Sequence, residues 1–418
     1  MWGTLVLILA CGWPLLAQTA DSTSQPRSGH ALIYTVVPSD PARHLLRIRL
    51  RLDPMPDGKF QLPAWSALYQ VRDFSQYVRS VTARDSAGRV LPIEAVDKTT
   101  WAVSNAAELD YEILADTPGP FGAQLTEAHA FLNLAQVLVY PVGWEHHWPC
   151  VISFDGLPLG WKVATPMPRF APDTSRLPNS YPAVSYDALV DSPIEMGAFQ
   201  ESAFEDGVSK YRLVVDAEPS DYDMKAITEM ARKLAATEVE WMNDRPFDHY
   251  LFIFHFPRHP VGGGMEHAYS TAIDASADRV KRDPLSLADV TAHEFFHLWN
   301  VKRIRPQSLE PVDYTKEQYT RALWFSEGVT STVADYMRVR AGYLDEKGFL
   351  AELAADIRYL ESRPARLTQS VEESSLDAWL EKYPQYESPQ RSISYYNTGE
   401  ILGMLLDLQM REASAGKR

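Results

Sequence analysis

Residues 293–297 read His-Glu-Phe-Phe-His, and this pentapeptide constrains the chain more than any other stretch. Placed in a helix, His293 and His297 are four apart and share one face, so both imidazoles can reach a single metal ion. Glu294 sits beside them, where a carboxylate can act as general base and take a proton from water at that metal. A catalytic zinc site needs three protein ligands and one open position. A second helix is therefore expected to turn back along the first and deliver the third ligand. Trp324-Phe325-Ser326-Glu327-Gly328-Val329-Thr330 offers Glu327 for this, flanked by apolar residues that argue against free solvation. Two neutral histidines and one carboxylate leave a zinc ion net positive, which lowers the pKa of its water. The tetrahedral oxyanion then needs another donor besides the metal. Tyr395-Tyr396 lies at the head of the last apolar helix, although on residue type alone these tyrosines read as core packing.

The rest of the chain divides by texture. From about residue 30 to 190 the periodicity is that of strands. Leu46, Ile48, Leu50 and Leu52 alternate with Arg47, Arg49 and Arg51, the pattern of a half-buried strand. Short runs of the same kind recur at Ile33–Val37, Trp101–Val103, Leu109–Leu114, Val137–Tyr140 and Val151–Phe154, separated by Pro, Gly, Asp and Asn. An antiparallel sheet or sandwich is expected there. Trp161–Ser192, rich in Pro and polar residues, reads as a boundary region. Beyond Glu201 the spacing predicts a strand at Tyr211–Val215 and a helix over Ser220–Trp241. It also predicts a buried strand at Tyr250–Phe256, helices over Leu285–Trp299 and Arg321–Val339, and a last helix through Ile401–Met410. Pro284 is placed to start the first of that helix pair.

Composition narrows the function classes. A formal net charge of −15 argues against a nucleic-acid binder, which would carry a basic face. The apolar start, Leu5 to Ala17, has signal-peptide length and is broken by Pro14, so export to the periplasm or outside the cell is expected. Lipidation at Cys11 is the alternative processing. No other stretch is apolar enough to span a membrane. Cys150 would be the only thiol left, which excludes an internal disulfide and a cysteine zinc site, and its apolar setting predicts a buried structural residue. The last helix stops a few residues before Arg418 with nothing following to cover it, so a catalytic domain cut short is also expected.

Three segments together resemble the glycyl aminopeptidases, a branch of the zincins with a glutamate ligand: His293–Arg305 (HEFFHLWNVKRIR), Leu323–Ser331 (LWFSEGVTS) and Gly263–His267 (GGMEH). Ser394–Gly399 (SYYNTG) and the Arg72-Asp73-Phe74 element are similar to that family too. The resemblance implies zinc held by His293, His297 and Glu327, with Glu294 as base. It implies that Gly263, Gly264, Met265, Glu266 and His267 form a substrate-binding edge strand. By likeness to the related aminopeptidase N family, Glu266 binds the free α-amine and Tyr396 inherits the oxyanion-stabilising role, with Tyr395 in reserve. Thr398 stands where that family has Lys, and Ser331 stands where thermolysin-type enzymes place an aspartate, so the group orienting a zinc histidine is unassigned.

The fold expected is multidomain α+β. A leader occupies residues 1–20, an antiparallel β-rich domain 28–190, and a thermolysin-like, mainly helical zinc peptidase domain 195–418. The expected activity is aminopeptidase cleavage after N-terminal Gly or Ala in peptides with a free N-terminus, using one Zn2+ per chain. A zinc endopeptidase and a non-catalytic peptide-binding remnant are the alternatives.

Overall fold

The structure, a computed structural model, describes residues 31–65, 72–144, 146, 148–169, 179–259, 262–380 and 388–416. The expected leader and Cys11 lie outside these residues. Within them no helix is long and apolar enough to cross a membrane.

Alternation decides the N-terminal architecture. On the strand Leu45–Met55, Leu46, Ile48 and Leu50 are fully buried. The arginines between them face outward, where Arg47 and Arg51 pair with Asp110 and Glu108 of the adjacent antiparallel strand Ala106–Leu114 at 2.8 and 2.9 Å. This strand pair lies inside a seven-stranded sheet that also contains Leu32–Asp40, Val78–Arg84 and Cys150–Phe154. The sheet is antiparallel but for one pairing, Leu32–Asp40 against Cys150–Phe154, which runs parallel. Two four-stranded sheets accompany it. Cys150 is buried and unpaired, and its thiol donates to the Trp148 carbonyl at 3.4 Å.

Two local expectations are corrected. Val137–Tyr140 is a strand only at its end: Leu134–Val137 forms a short helix, capped by the Asn133 side chain, which accepts from the Ala135 amide, and the strand is Tyr140–Pro141. A continuous apolar run does not distinguish a buried helical turn from a buried strand, and the asparagine decides it. Nor is Trp161–Ser192 a mere boundary, because Lys162–Ala164 and Ser180–Ala183 are strands and Tyr186–Val190 is a helix. Both strands are sheet edges, where Pro182 removes no needed hydrogen bond. The strand Ile194–Gly197 pairs with His129–Leu132, so the N-terminal sheets extend to Gly197.

The second half is less purely helical than its sequence suggests. A five-stranded sheet runs in the order Gln200–Asp206, Ser209–Asp216, His249–His255, Ser270–Ala275, Gly262–Glu266. Its three central strands are parallel, which demands a crossover, and the helix Met224–Met242 supplies the first. Asp223 caps that helix, and its buried stripe through Ile227, Met230, Ala231 and Leu234 joins Phe252 and Phe295 in one core. The expected helix at Leu285–Trp299 begins as a 3-10 turn at Pro284 and becomes α-helical over Ala288–Phe296. The expected helix at Arg321–Val339 starts as a π-turn over Trp324–Val329 and continues as Thr330–Arg340. A final helix, Tyr395–Ala413, packs across that π-turn. The order of elements, a β-rich N-terminal half followed by a sheet carrying helices, makes the fold α+β.

Candidate metal centre

Helical spacing brings His293 and His297 together, with ring centroids 4.7 Å apart. Glu327, presented by the π-turn of the next helix, completes the group. Its Oε2 lies 3.4 Å from Nε2 of His293 and 3.4 Å from Nε2 of His297. A tetrahedral ion with bonds of about 2.0–2.1 Å would hold its ligands roughly 3.3–3.4 Å apart. Both separations from Glu327 therefore match those around a zinc-sized ion, and all three donor atoms lie within 4.8 Å of one another.

The rings are oriented by their other nitrogens. His297 Nδ1 is 2.7 Å from the Asn300 carbonyl, which can only accept, so Nδ1 carries the proton and Nε2 is left as a ligand. Asn300 in turn donates its side-chain amide to the Phe325 carbonyl at 2.9 Å and to Thr330 Oγ1 at 3.0 Å, tying the two ligand-bearing segments together. His293 Nδ1 is 3.2 Å from Ser331 Oγ, whose hydroxyl donates to the Glu327 carbonyl at 3.3 Å. Ser331, which stands where an aspartate is usual, thus supplies the contact to a zinc-site histidine that the sequence left unassigned.

Burial shapes the charges. Desolvation alone would raise the Glu327 carboxyl, but His297 and His293 beside it hold it well below the usual carboxylate range. For Glu294 burial wins: desolvation pushes its carboxyl well up, and Glu266 and Glu327 add to the push against His297. A doubly charged cation among these carboxylates works in the opposite sense. Glu294, Glu266 and His297 have ligating atoms within 4.8 Å of one another, so Glu294 stands between the metal group and the edge strand.

That strand is Gly262–Glu266. Gly264 abuts Glu294 so closely that a Cβ there would overlap its carboxylate. Gly263 adopts φ +142°, a conformation L-residues with a side chain avoid. Gly262, Gly263, Gly264 and Glu266 line a cleft of 680 Å³ together with the metal group. The side chains of Met265 and His267 turn away from it. Met265 is buried with its sulfur 3.2 Å from Asn133 Nδ2, and His267 Nδ1 is 3.2 Å from Asp191. Tyr396 lines the cleft and stacks on His293 at 6.0 Å between centroids, whereas Tyr395 is buried in a small core with Leu323 and Ala378. Arg72 and Phe121, from the N-terminal half, close one end of the cleft. The cleft is also lined by Asp289, Asp335, Arg338, Glu352, Asp356 and Glu400, residues without a recognisable spacing in the sequence.

Comparison with known proteins agrees with this geometry. The family model of the M61 glycyl aminopeptidases matches residues 286–402, and that of the peptidase M61 N-terminal domain matches residues 33–198. The crystal structure of an aminopeptidase N family protein from Idiomarina loihiensis superposes with a TM-score of 0.87 at 30% identity, covering 93% of this chain and 68% of that one. A two-domain M1 zinc metallopeptidase mutant bound to L-tryptophan gives only 0.49 at 15% identity, over 84% of this chain and 81% of that one. No curated protein matches. The chain is a metallopeptidase. Within that class it belongs to the M61 glycyl aminopeptidase family.

Proposed function

We propose that this metallo-aminopeptidase uses zinc to release small N-terminal residues, Gly or Ala, from peptides with a free amine, on a thermolysin-like arrangement of edge strand and two ligand-bearing helices. The observation that carries the reading is the pair of 3.4 Å separations joining Glu327 to His293 and His297, with Glu266 and Glu294 packed against the same group. His293, His297 and Glu327 would hold the ion, which when bound polarises the scissile carbonyl and acidifies water.

The remaining steps belong to the chain's own residues. Glu266 pairs with the substrate ammonium and so counts one residue inward to the bond that is cut. The backbone of Gly262–Gly264 is open to pairing, because an edge strand has unused hydrogen-bonding groups and glycine lets another backbone approach. Glu294 accepts a proton from the attacking water and delivers it to the leaving amine. The hydroxyl of Tyr396 is the donor for the developing oxyanion. The same proposal places the enzyme outside the cytoplasm, on the strength of the apolar segment before Gln18.

The test is hydrolysis of glycyl-, alanyl- and leucyl-amides beside their N-acetylated copies. Cleavage confined to free amines and strongest for glycyl or alanyl supports the reading. Equal cleavage of acetylated substrates makes the enzyme an endopeptidase and removes the role given to Glu266.

A further inference from the structure

Two guanidinium groups border the cleft among the described residues, and they differ in what holds them. Arg338 is engaged by Asp335 at 2.7 Å, Glu352 at 2.9 Å and Asp289 at 3.3 Å. Arg72 has no carboxylate partner among the described residues. Its guanidinium lies over the Phe121 ring at 5.3 Å from the centroid, and its Nε is shielded from solvent with no hydrogen-bond partner. Arg72 is partly exposed, but a guanidinium N–H removed from water and left unpaired is costly, so the site favours an anion that would accept from it. Elsewhere the cleft is lined with carboxylates that repel an anionic group, which leaves the Arg72 end as the place where one is welcome.

The strand fixes what that anion is. Among the described residues Gly262–Glu266 pairs only with Ser270–Ala275, so a substrate adds as a further strand on its free side. The strand ends at Glu266 and the chain turns immediately after it, so a peptide whose amine sits at Glu266 can extend only toward Gly262. On the way it passes Gly264, which touches the general base Glu294, and then Gly263, whose missing Cβ would stand 3.6 Å from the Phe121 ring. Three residues of antiparallel strand separate Glu266 from Gly263, about 10 Å, which is roughly the span of an extended tripeptide.

We propose that Arg72, held on Phe121, is a specificity residue that binds the C-terminal carboxylate of tripeptides, so that the enzyme favours short peptide fragments over longer chains. This rests on the reading of Glu266 as the amine anchor.

The experiment compares the tripeptide Ala-Ala-Phe with its C-terminal amide in the metal-loaded enzyme, in Arg72→Gln and in Arg72→Lys, following release of alanine. The ratio of kcat/KM for acid over amide is read on one preparation, so it does not depend on how much of a variant folds. A charge-assisted contact predicts a ratio of roughly ten to a hundred in the wild type, carried mainly by KM. The ratio is expected to fall to about one in Arg72→Gln and to be partly kept in Arg72→Lys. A wild-type ratio near one, or a ratio that survives Arg72→Gln, overturns the assignment. Ala-Ala-Asp-amide separates a terminal carboxylate from a side-chain one: it should behave like the neutral amide, and behaviour like the free acid would assign Arg72 to an acidic side chain instead. N-acetylated Ala-Ala-Phe cleaved as fast as the free peptide would remove the Glu266 anchor and this assignment with it, a failure visible without any Arg72 variant.

Discussion

Gly328 and Gly399 meet backbone to backbone, so closely that a Cβ on Gly328 would overlap the main chain of Gly399 and one on Gly399 would stand 3.0 Å from the Gly328 Cα. Gly328 follows the metal-site Glu327 in its π-turn, and Gly399 lies one turn into the C-terminal helix that begins at Tyr395. Their contact lets that helix cross the π-turn and brings Tyr396 over His293. Gly399→Ala would also press on the Trp324 carbonyl. Overpacking of this kind costs about 1–3 kcal/mol. The variant should melt several degrees lower and lose more activity than metal. A variant with unchanged melting and turnover would mean that the helix seats itself by other contacts.

Substitution of Glu294 and of its neighbour Gly264 on the edge strand should cost similar activity by different routes. Glu294→Gln removes proton transfer while keeping shape, so a loss of at least 10²–10⁴ in kcat is expected with metal content retained. Gly264→Ala keeps every reactive group yet inserts a methyl into the Glu294 carboxylate, and it should approach the same loss. Activity of Gly264→Ala within a few-fold of wild type would show that Glu294 works from another position.

Ser331 carries a prediction about metal affinity. Its hydroxyl links His293 Nδ1 to the Glu327 carbonyl, so Ser331→Ala leaves the ring unanchored. Loss of such a partner costs roughly 10–100-fold in affinity. Ser331→Asp keeps an acceptor for Nδ1 and should bind at least as tightly as the wild type. Competition with a chromophoric chelator measures both, and an unchanged Ser331→Ala value would deny the serine its orienting role.

Much of this centre was legible before any coordinates, because the decisive relations are short in sequence. His293, Glu294 and His297 sit within one helical repeat, and the alternation around Leu46–Leu52 gives a strand and its buried face at once. The relations that escaped are long-range or hang on a single backbone choice. Asn300 holds His297 through a carbonyl, which no side-chain pattern announces. The π-turn that presents Glu327 leaves the apolar periodicity of its helix almost intact. Parallel pairing in the second sheet depends on crossovers, so its strands read as isolated apolar runs. His129, Glu195 and His255 are 66 and 60 residues apart and carry no spacing signal, yet they form one buried cluster.

That cluster joins the N-terminal sheets to the five-stranded sheet and should make their union pH-dependent. His255 is 2.9 Å from Asp274 through Nδ1 and 3.0 Å from Glu195 through Nε2, while His129 Nδ1 is 3.2 Å from both Glu195 and Asp216. Both ring nitrogens of His255 face carboxylates, so the imidazolium form is favoured. Burial by itself would lower its pKa, but Asp274 and Glu195 outweigh burial and hold it well above the ordinary 6.5. Burial pushes Glu195 the other way, up, and the two histidines bring it below its ordinary 4.5. The raised histidine contributes stability in full below about pH 6.5, lost as pH climbs through its folded pKa; the lowered carboxylate contributes above about pH 4.5, lost on acidification. Glu195→Gln strands a buried charge and should cost about 3 kcal/mol. Its deficit in melting temperature should be widest between these two values and narrow toward alkaline pH. A deficit that widens with rising pH would contradict this account.

Metal analysis of the purified protein, paired with turnover of an alanyl amide, tests the central claim most directly. The account predicts one zinc per chain in the wild type, chelator-sensitive activity restored by added zinc, and loss of both metal and activity in His297→Ala and Glu327→Ala. Metal retained at full stoichiometry in those two variants, or turnover indifferent to a chelator that strips the ion, would contradict it.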